Sequence, residues 1–292
     1  MQPTLKDKVL FITGASRGIG LAIALRAARD GAKIAIVAKT TEPHPTLPGT
    51  IYTAAKEIEK AGGTALAIKC DIRFEDQIQA AFQQTVDRFG SIDIVICNAS
   101  AVYMGTTETT PSSRMDLMYQ INVRGTLLVA KHAIPYLKES SNPHILIASP
   151  PINLQQIGWN VSYTVTKYGM SLASLGLSQE LKPYGIAVNS IWPFTSIETA
   201  ALKVTDPSKR RKFSRSPEIM ADAVHSILVS DSKTVTGNLF IDEVVLRKFN
   251  NYTNADFDKY SVIRNPTQLS SSFFLSDEMI DSVVAMRNSS KL

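Results

Sequence analysis

The stretch Thr13-Gly14-Ala15-Ser16-Arg17-Gly18-Ile19-Gly20 constrains the fold more than any other part of this sequence. It follows the apolar run Val9-Leu10-Phe11-Ile12, which reads as a buried strand, and leads into Leu21-Ala22-Ile23-Ala24-Leu25, which reads as a helix. Strand, glycine turn and helix in that order are the setting in which a glycine-rich motif means dinucleotide binding. Glycine has no Cβ, so the chain at Gly14 and Gly18 can turn tightly and lie bare beneath a phosphate. The pyrophosphate then sits over the helix N-terminus, where unpaired N–H groups and the helix dipole favour an anion. Taken alone, the pattern is equally that of an ordinary turn between strand and helix, so the rest of the chain has to decide.

Strand-like and helix-like segments alternate for most of the 292 residues. The strand candidates are Val9–Thr13, Lys33–Ala38, Ala65–Lys69, Ile92–Cys97, His144–Ser149, Ile186–Ile191 and Leu239–Asp242; most are near-continuous Val/Ile/Leu/Ala runs, the pattern of a parallel sheet buried on both faces. The helix candidates are Ile19–Asp30, Ile51–Ala61, Glu75–Phe89, Ser112–Leu137, Ser162–Leu181 and Pro217–Val229. The alternation predicts an α/β, doubly wound (Rossmann) single domain, a mostly seven-stranded parallel sheet with helices on both faces, over residues 1–249. Hydrophobic residues make up 44% of the chain, enough to fill such a core. Residues 250–292 read as a C-terminal extension packing on the domain or on a partner subunit, with Ser276 capping a short helix that carries Met279, Ile280, Val283 and Val284.

Several function classes drop out. No apolar run reaches the length of a membrane span, and the first residues carry no apolar signal-peptide core. A net charge of +5 without aromatic-interleaved basic stripes argues against nucleic acid. The four histidines, His44, His132, His144 and His225, lack ligand spacing, so no metal site is expected. Cys70 and Cys97 close two apolar runs that lie three strand spacings apart in a 3-2-1-4 order, about 14 Å, too far for a disulfide. The closing tripeptide Ser290-Lys291-Leu292 reads as a peroxisomal address taken up by an import receptor, with cytosol or mitochondrion as lesser alternatives.

The candidate chemistry is spread along the chain. Tyr163 and Lys167 are four residues apart, on one face of a helix. A free phenol titrates near 10, too high for acid–base work near neutrality. An ammonium about 4 Å away at an effective dielectric near 20 is worth about 4 kcal/mol, enough to bring the phenol down by two units. The pair also fits the wet side of an ordinary helix. Ser149 closes the fifth strand candidate, at the carboxyl edge where parallel sheets bind ligands, and its hydroxyl is placed to meet a substrate carbonyl. Asn122 interrupts a helical pattern, which suggests a kink or an ordered water. Lys39 ends the second strand, where a cation suits the 2′-phosphate of NADP and an acid would suit NAD; Arg17 adds a second charge, so NADP(H) is favoured over NAD(H).

Together these motifs resemble the short-chain dehydrogenase/reductase family over about residues 5–245: Thr13–Gly20, Asp71, Asn98-Ala99, Asn122, Ser149, Tyr163 with Lys167, and Asn189-Ser190-Ile191-Trp192-Pro193. The resemblance implies Tyr163 as general acid/base, Ser149 as the residue orienting the substrate oxygen, Lys167 on the nicotinamide ribose, and Asn122 supporting a proton-relay water. It implies cofactor contacts from Gly14, Ser16, Arg17, Gly18, Ile19, Gly20, Lys39, Asp71, Asn98 and Pro193, with Thr195 or Thr199 on the nicotinamide, and a homo-oligomer built through the long helices. The chain departs from the family at Cys97, where the family usually has asparagine, and at Ser100 and Phe194, each standing where it usually has glycine, and has Pro150-Pro151 directly after Ser149. The expectation is an NADP(H)-dependent oxidoreductase interconverting a carbonyl and an alcohol on a small-molecule, lipid-derived substrate. The basic residues Lys209 to Arg215 either meet CoA phosphates or form a solvated loop. A nucleotide-binding regulatory or scaffold protein of the same fold, with little turnover, is the alternative.

Overall fold

A computed structural model of the chain describes residues 4–45, 47–200, 202, 214–263 and 272–289. Among them the strands are β1 (Val9–Thr13), β2 (Lys33–Ala38), β3 (Thr64–Lys69), β4 (Ile94–Cys97), β5 (His144–Ile147), β6 (Ala187–Trp192) and β7 (Leu239–Ile241). Across the sheet they run β3-β2-β1-β4-β5-β6-β7, every pair parallel. The chain reverses its direction of travel across the sheet between β1 and β4, and a crevice opens there at the strand carboxyl ends.

Side-chain alternation explains why the strands are apolar throughout. Leu10, Ile12, Ile34 and Ile36 face helices α1 (Gly18–Ala28), α7 (Glu218–Leu228) and α8 (Asp242–Asn250), against Ile23, Val224 and Leu246. Val9, Phe11, Ala35 and Val37 face the other way, toward Phe82 of α3 (Glu75–Phe89), Val129 of α5 (Thr126–Leu137) and Leu177 of α6 (Val161–Glu180). Phe11 and Phe82 stack with centroids 4.1 Å apart. Local signals set the helix ends. Thr50 and Thr53 form a reciprocal capping box at α2 (Ile51–Lys60), and Gly90 closes α3 at φ 83°.

Several element boundaries shift from the sequence expectation by one or two residues, and three differ for a local physical reason. The fifth strand stops at Ile147, because Pro150 and Pro151 cannot continue a ladder and restrict the residue before them, so Ser149 stands just past its carboxyl end. The span Ser112–Leu137 is three pieces: α4 (Ser112–Met118), a π-helical stretch Tyr119–Gly125, and α5. The wider turn turns Asn122 inward, fully buried. The seventh strand ends at Ile241, and Asp242 starts α8, which has acids in its first turn and Arg247 and Lys248 in its last.

Cys70 and Cys97 are buried free thiols. No helix among the described residues is long and apolar enough to cross a membrane. The final helix, α9 (Asp277–Ser289), begins with the Met279 amide donating to Ser276 Oγ at 3.2 Å. It buries Val283 beside Phe194, Ile241 and Leu275. Ser290-Lys291-Leu292 and the basic run Lys209–Lys212 lie outside the described residues.

Candidate active site

The glycine turn leaves β1 with Gly14 at φ +70° and enters α1 with Gly18 at φ +59°, both in the left-handed region. A Cβ on Gly14 would lie 2.9 Å from the Cα of Ala99, so the turn and the end of β4 touch backbone to backbone. A Cβ on Gly20 would lie 2.6 Å from both Asn98 Nδ2 and the Gly14 carbonyl oxygen. Asn98 Nδ2 donates to the carbonyls of Thr13 and Gly14, at 3.2 Å each, which staples the turn to β4. The result is a bare cradle at a helix N-terminus that fits a pyrophosphate.

A cleft of about 570 Å³ extends from this cradle. Gly14, Ser16, Arg17, Gly18, Ile19, Lys39, Asp71, Asn98, Tyr163 and Lys167 all line it. At one end stands Lys39. Arg17 lies nearby, but its Nε and Nη2 donate to the carbonyls of Pro48 (2.8 Å) and Gly49 (2.7 Å), so its guanidinium holds the loop after β2. Asp71 takes a two-pronged ion pair from Arg73, with Nη2 to Oδ2 at 2.6 Å. Burial works against that carboxylate, but Arg73 outweighs it and holds its pKa below the usual range.

Tyr163 and Lys167 stand at the other end of the cleft, both buried. Burial pushes the phenol's pKa up and the ammonium's down, to about 7. Lys167 Nζ donates to the Ala148 carbonyl and lies 5.1 Å from the centroid of the Trp192 ring. In this arrangement desolvation is what moves both groups, because an apolar aromatic cluster packs around Tyr163 and the Trp192 ring stands beside Lys167. A consequence is measurable. Unfolded, Lys167 keeps its proton up to its ordinary value of 10.5; folded, it releases it near 7, so stability should climb with pH between those values. Thermal melts from pH 6.5 to 9.5 should show a rise that Lys167→Met lacks.

Ser149 does not line the cleft; its Oγ is fully buried and has no hydrogen-bond partner. Asn122 is also set back. Its Oδ1 accepts from the Ala101 amide at 2.8 Å, and its Nδ2 donates to the Ala101 carbonyl at 2.9 Å and to Thr166 Oγ1 at 3.0 Å. Pro193 and Thr195 are buried behind the wall, whereas Trp192 and Thr199 reach it; the Thr199 methyl lies 3.6 Å from where a Gly18 Cβ would be. Of the two candidate threonines, Thr199 is the one facing the cleft. Gly20 serves packing beneath the turn and does not line the cleft. Sequence reasoning gave no role to Trp192 or to Phe274, whose ring approaches Tyr163 from residues far along the chain.

A short-chain dehydrogenase family model matches residues 8–209. The chain belongs to the short-chain dehydrogenase/reductase family. It is 56% identical over 240 residues to hydroxysteroid dehydrogenase-like protein 2 of Xenopus tropicalis, covering 82% of this chain and 57% of that protein. The human protein of that description is 48% identical over 270 residues, with 92% and 63% covered. The chain thus spans about three-fifths of the curated relatives it matches. The stretches Val37–Thr40, Pro43-His44-Pro45, Ser149–Leu154 and Gly237–Glu243 carry the narrower resemblance in the sequence. A crystal structure of a short chain dehydrogenase from Mycobacterium thermoresistibile superposes with a TM-score of 0.87 at 46% identity, covering 94% of this chain and 96% of that one. Within this family of NAD(P)(H)-using enzymes, two departures now have a physical account. Ser100 adds a hydrogen bond from its Oγ to Asn122 Oδ1 at 3.1 Å. Phe194 is buried against Leu275 and Val283, under the guanidinium of Arg287, and so docks the C-terminal segment.

Proposed function

We propose that this short-chain dehydrogenase interconverts a carbonyl and an alcohol on a lipid-derived substrate, with NADP(H) preferred and Tyr163 as the acid/base. The observation that carries the reading is the single cleft joining the bare glycine cradle and Lys39 to Tyr163 and Lys167. The residues present fit a dinucleotide: the turn, with Gly14 and Gly18, would hold the pyrophosphate, Lys39 the adenosine end, and Lys167 and Thr199 the nicotinamide end. When bound, the nicotinamide donates or accepts the hydride. Tyr163 Oη holds the proton that the carbonyl oxygen takes up, and burial keeps it there at neutral pH. Ser149 Oγ, buried without a partner and set back from the cleft, orients that oxygen only where the wall between them gives way. Purified protein should oxidise NADPH when offered a panel of apolar aldehydes and ketones. NADPH binding without oxidation of any of them would favour the regulatory alternative.

The cofactor preference rests on Lys39, since Arg17 is engaged by the loop at Pro48 and Gly49. Lys39→Asp should weaken NADPH binding about tenfold or more, the size of one charge-assisted contact, and leave NADH binding equal or tighter. Titrations with both nucleotides check this; an unaltered preference would remove Lys39 from the account. Peroxisomal delivery belongs to the same reading, through Ser290-Lys291-Leu292 where these form a free terminus. So does a homo-oligomer. Exposed Tyr119, Leu127, Val165 and Leu172 on the π-helical stretch, α5 and α6 present apolar surface for a second copy.

A further inference from the structure

Tyr163 and Trp192 have a second layer behind them, and it comes from the far end of the chain. The segment Ser272–Leu275 returns to the catalytic end of the cleft and places Phe274 there, 1% exposed. Its ring lies 6.1 Å from Tyr163 and 5.5 Å from Trp192, centroid to centroid, and both of those residues line the cleft. Trp159 and Tyr168 complete the box at 6.0 and 5.5 Å. Three hydrogen bonds seat the segment. The Ser272 amide donates to the Phe194 carbonyl at 2.8 Å, Trp192 Nε1 to the Phe273 carbonyl at 2.9 Å, and Gln156 Nε2 to the Leu275 carbonyl at 3.1 Å. Phe273 stacks on Trp159 at 4.0 Å.

Phe274 also has φ +73°, the left-handed region. A bulky residue rarely adopts it, and such strain persists where surrounding structure imposes it, often at ligand sites. An ordinary core phenylalanine needs no such backbone. Here the strain delivers an aromatic ring to the back of the proposed acid, while α9 anchors the segment downstream through Arg287 on Glu243 at 2.8 Å.

We infer that Phe274 determines which carbonyl compounds reach Tyr163, as a positioning residue: packed behind Tyr163 and Trp192, its ring holds those two cleft-lining side chains forward, so the site admits a carbonyl on a slim, unbranched apolar arm and excludes a fused-ring ketone. The inference rests on the oxidoreductase reading above and specifies its substrate class. The box behind this end of the cleft is aromatic, which favours an apolar arm.

The test compares the parent with Phe274→Ala and Phe274→Leu, on a straight-chain methyl ketone and on a decalone, with NADPH. The parent should favour the straight-chain ketone. Phe274→Ala should raise kcat/KM for the decalone about tenfold or more through KM, with Phe274→Leu between them and NADPH affinity unaltered in both. A parent that reduces both ketones equally well, or a selectivity ratio that neither variant moves, overturns the inference. Should the parent oxidise NADPH with neither ketone, the oxidoreductase reading stands or falls on the wider panel of aldehydes and ketones, and Phe274 is judged by thermal melts in the presence of NADPH. A decalone-induced rise in the Ala or Leu variant and none in the parent upholds the wall; equal rises remove it.

Discussion

Replacing Tyr163 by Phe should lower kcat/KM for carbonyl reduction by about 10³-fold or more while leaving the fold and NADPH binding intact. The change removes one oxygen. Among the described residues no hydrogen bond is made by that phenol oxygen, so its loss strands no partner. The ring itself stays in its box with Phe274 and Trp192, so packing is kept. What disappears is the proton source. General acid catalysis contributes about 10²–10⁴-fold, and nothing else in the cleft replaces it, because Lys167 is turned to the Ala148 carbonyl. Initial rates, NADPH titration and a thermal melt on parent and variant give the three readouts. Activity within about threefold of the parent would remove Tyr163 as the acid.

The largest stability effect is expected at Glu243. This carboxylate is fully buried on α8 and serves three arginines. Oε2 accepts from Arg215 at 2.6 Å and from Arg287 at 2.8 Å, and Oε1 accepts from Arg247 at 2.8 Å. Arg215 and Arg247 are themselves nearly inaccessible. Glu243→Ala would take the shared carboxylate away from those buried cations, a change that costs about 3–5 kcal/mol. Burial alone would raise the Glu243 pKa, but Arg287 and Arg215 outweigh it and bring it to about 2, against an ordinary 4.5. A depressed carboxylate contributes stability that is complete above pH 4.5 and is lost as pH falls toward 2. Urea midpoints should therefore drop sharply in Glu243→Ala at pH 7, and the gap between variant and parent should narrow on acidification. Because Arg287 sits on α9, the variant should also release the C-terminal helix, read as faster proteolytic removal of the tail. A midpoint at pH 7 equal to the parent's would show the cluster to be dispensable.

Particular residues explain how much of this was legible in advance. The sheet was readable because parallel strands bury both faces, so runs such as Lys33–Ala38 and Val9–Thr13 are apolar at consecutive positions. Helix α8 was not, because Leu239-Phe240-Ile241 continues into Asp242 without a turn residue; the acids at 242–243 and the bases at 247–248 were the available signal. Apolar periodicity alone does not separate an α-helix from the wider turn at Tyr119–Gly125, although Asn122 in mid-helix marked the place. For the site, motif spacing located the cradle, Lys39, Tyr163 and Lys167. It did not reveal how burial would drive Tyr163 and Lys167 apart in pKa, since that depends on Trp192 and Phe274, brought in from other parts of the chain.

A cleft that moves a hydride to a carbonyl carbon while Tyr163 supplies the proton leaves the hydride's label on the product carbon. The most direct measurement is mass spectrometry of the alcohol formed from a straight-chain ketone and NADPH deuterated at the nicotinamide C4. The account predicts one deuterium on the carbinol carbon with the parent and almost none with Tyr163→Phe. NADPH bound tightly by the parent, with no label in any product, would contradict it.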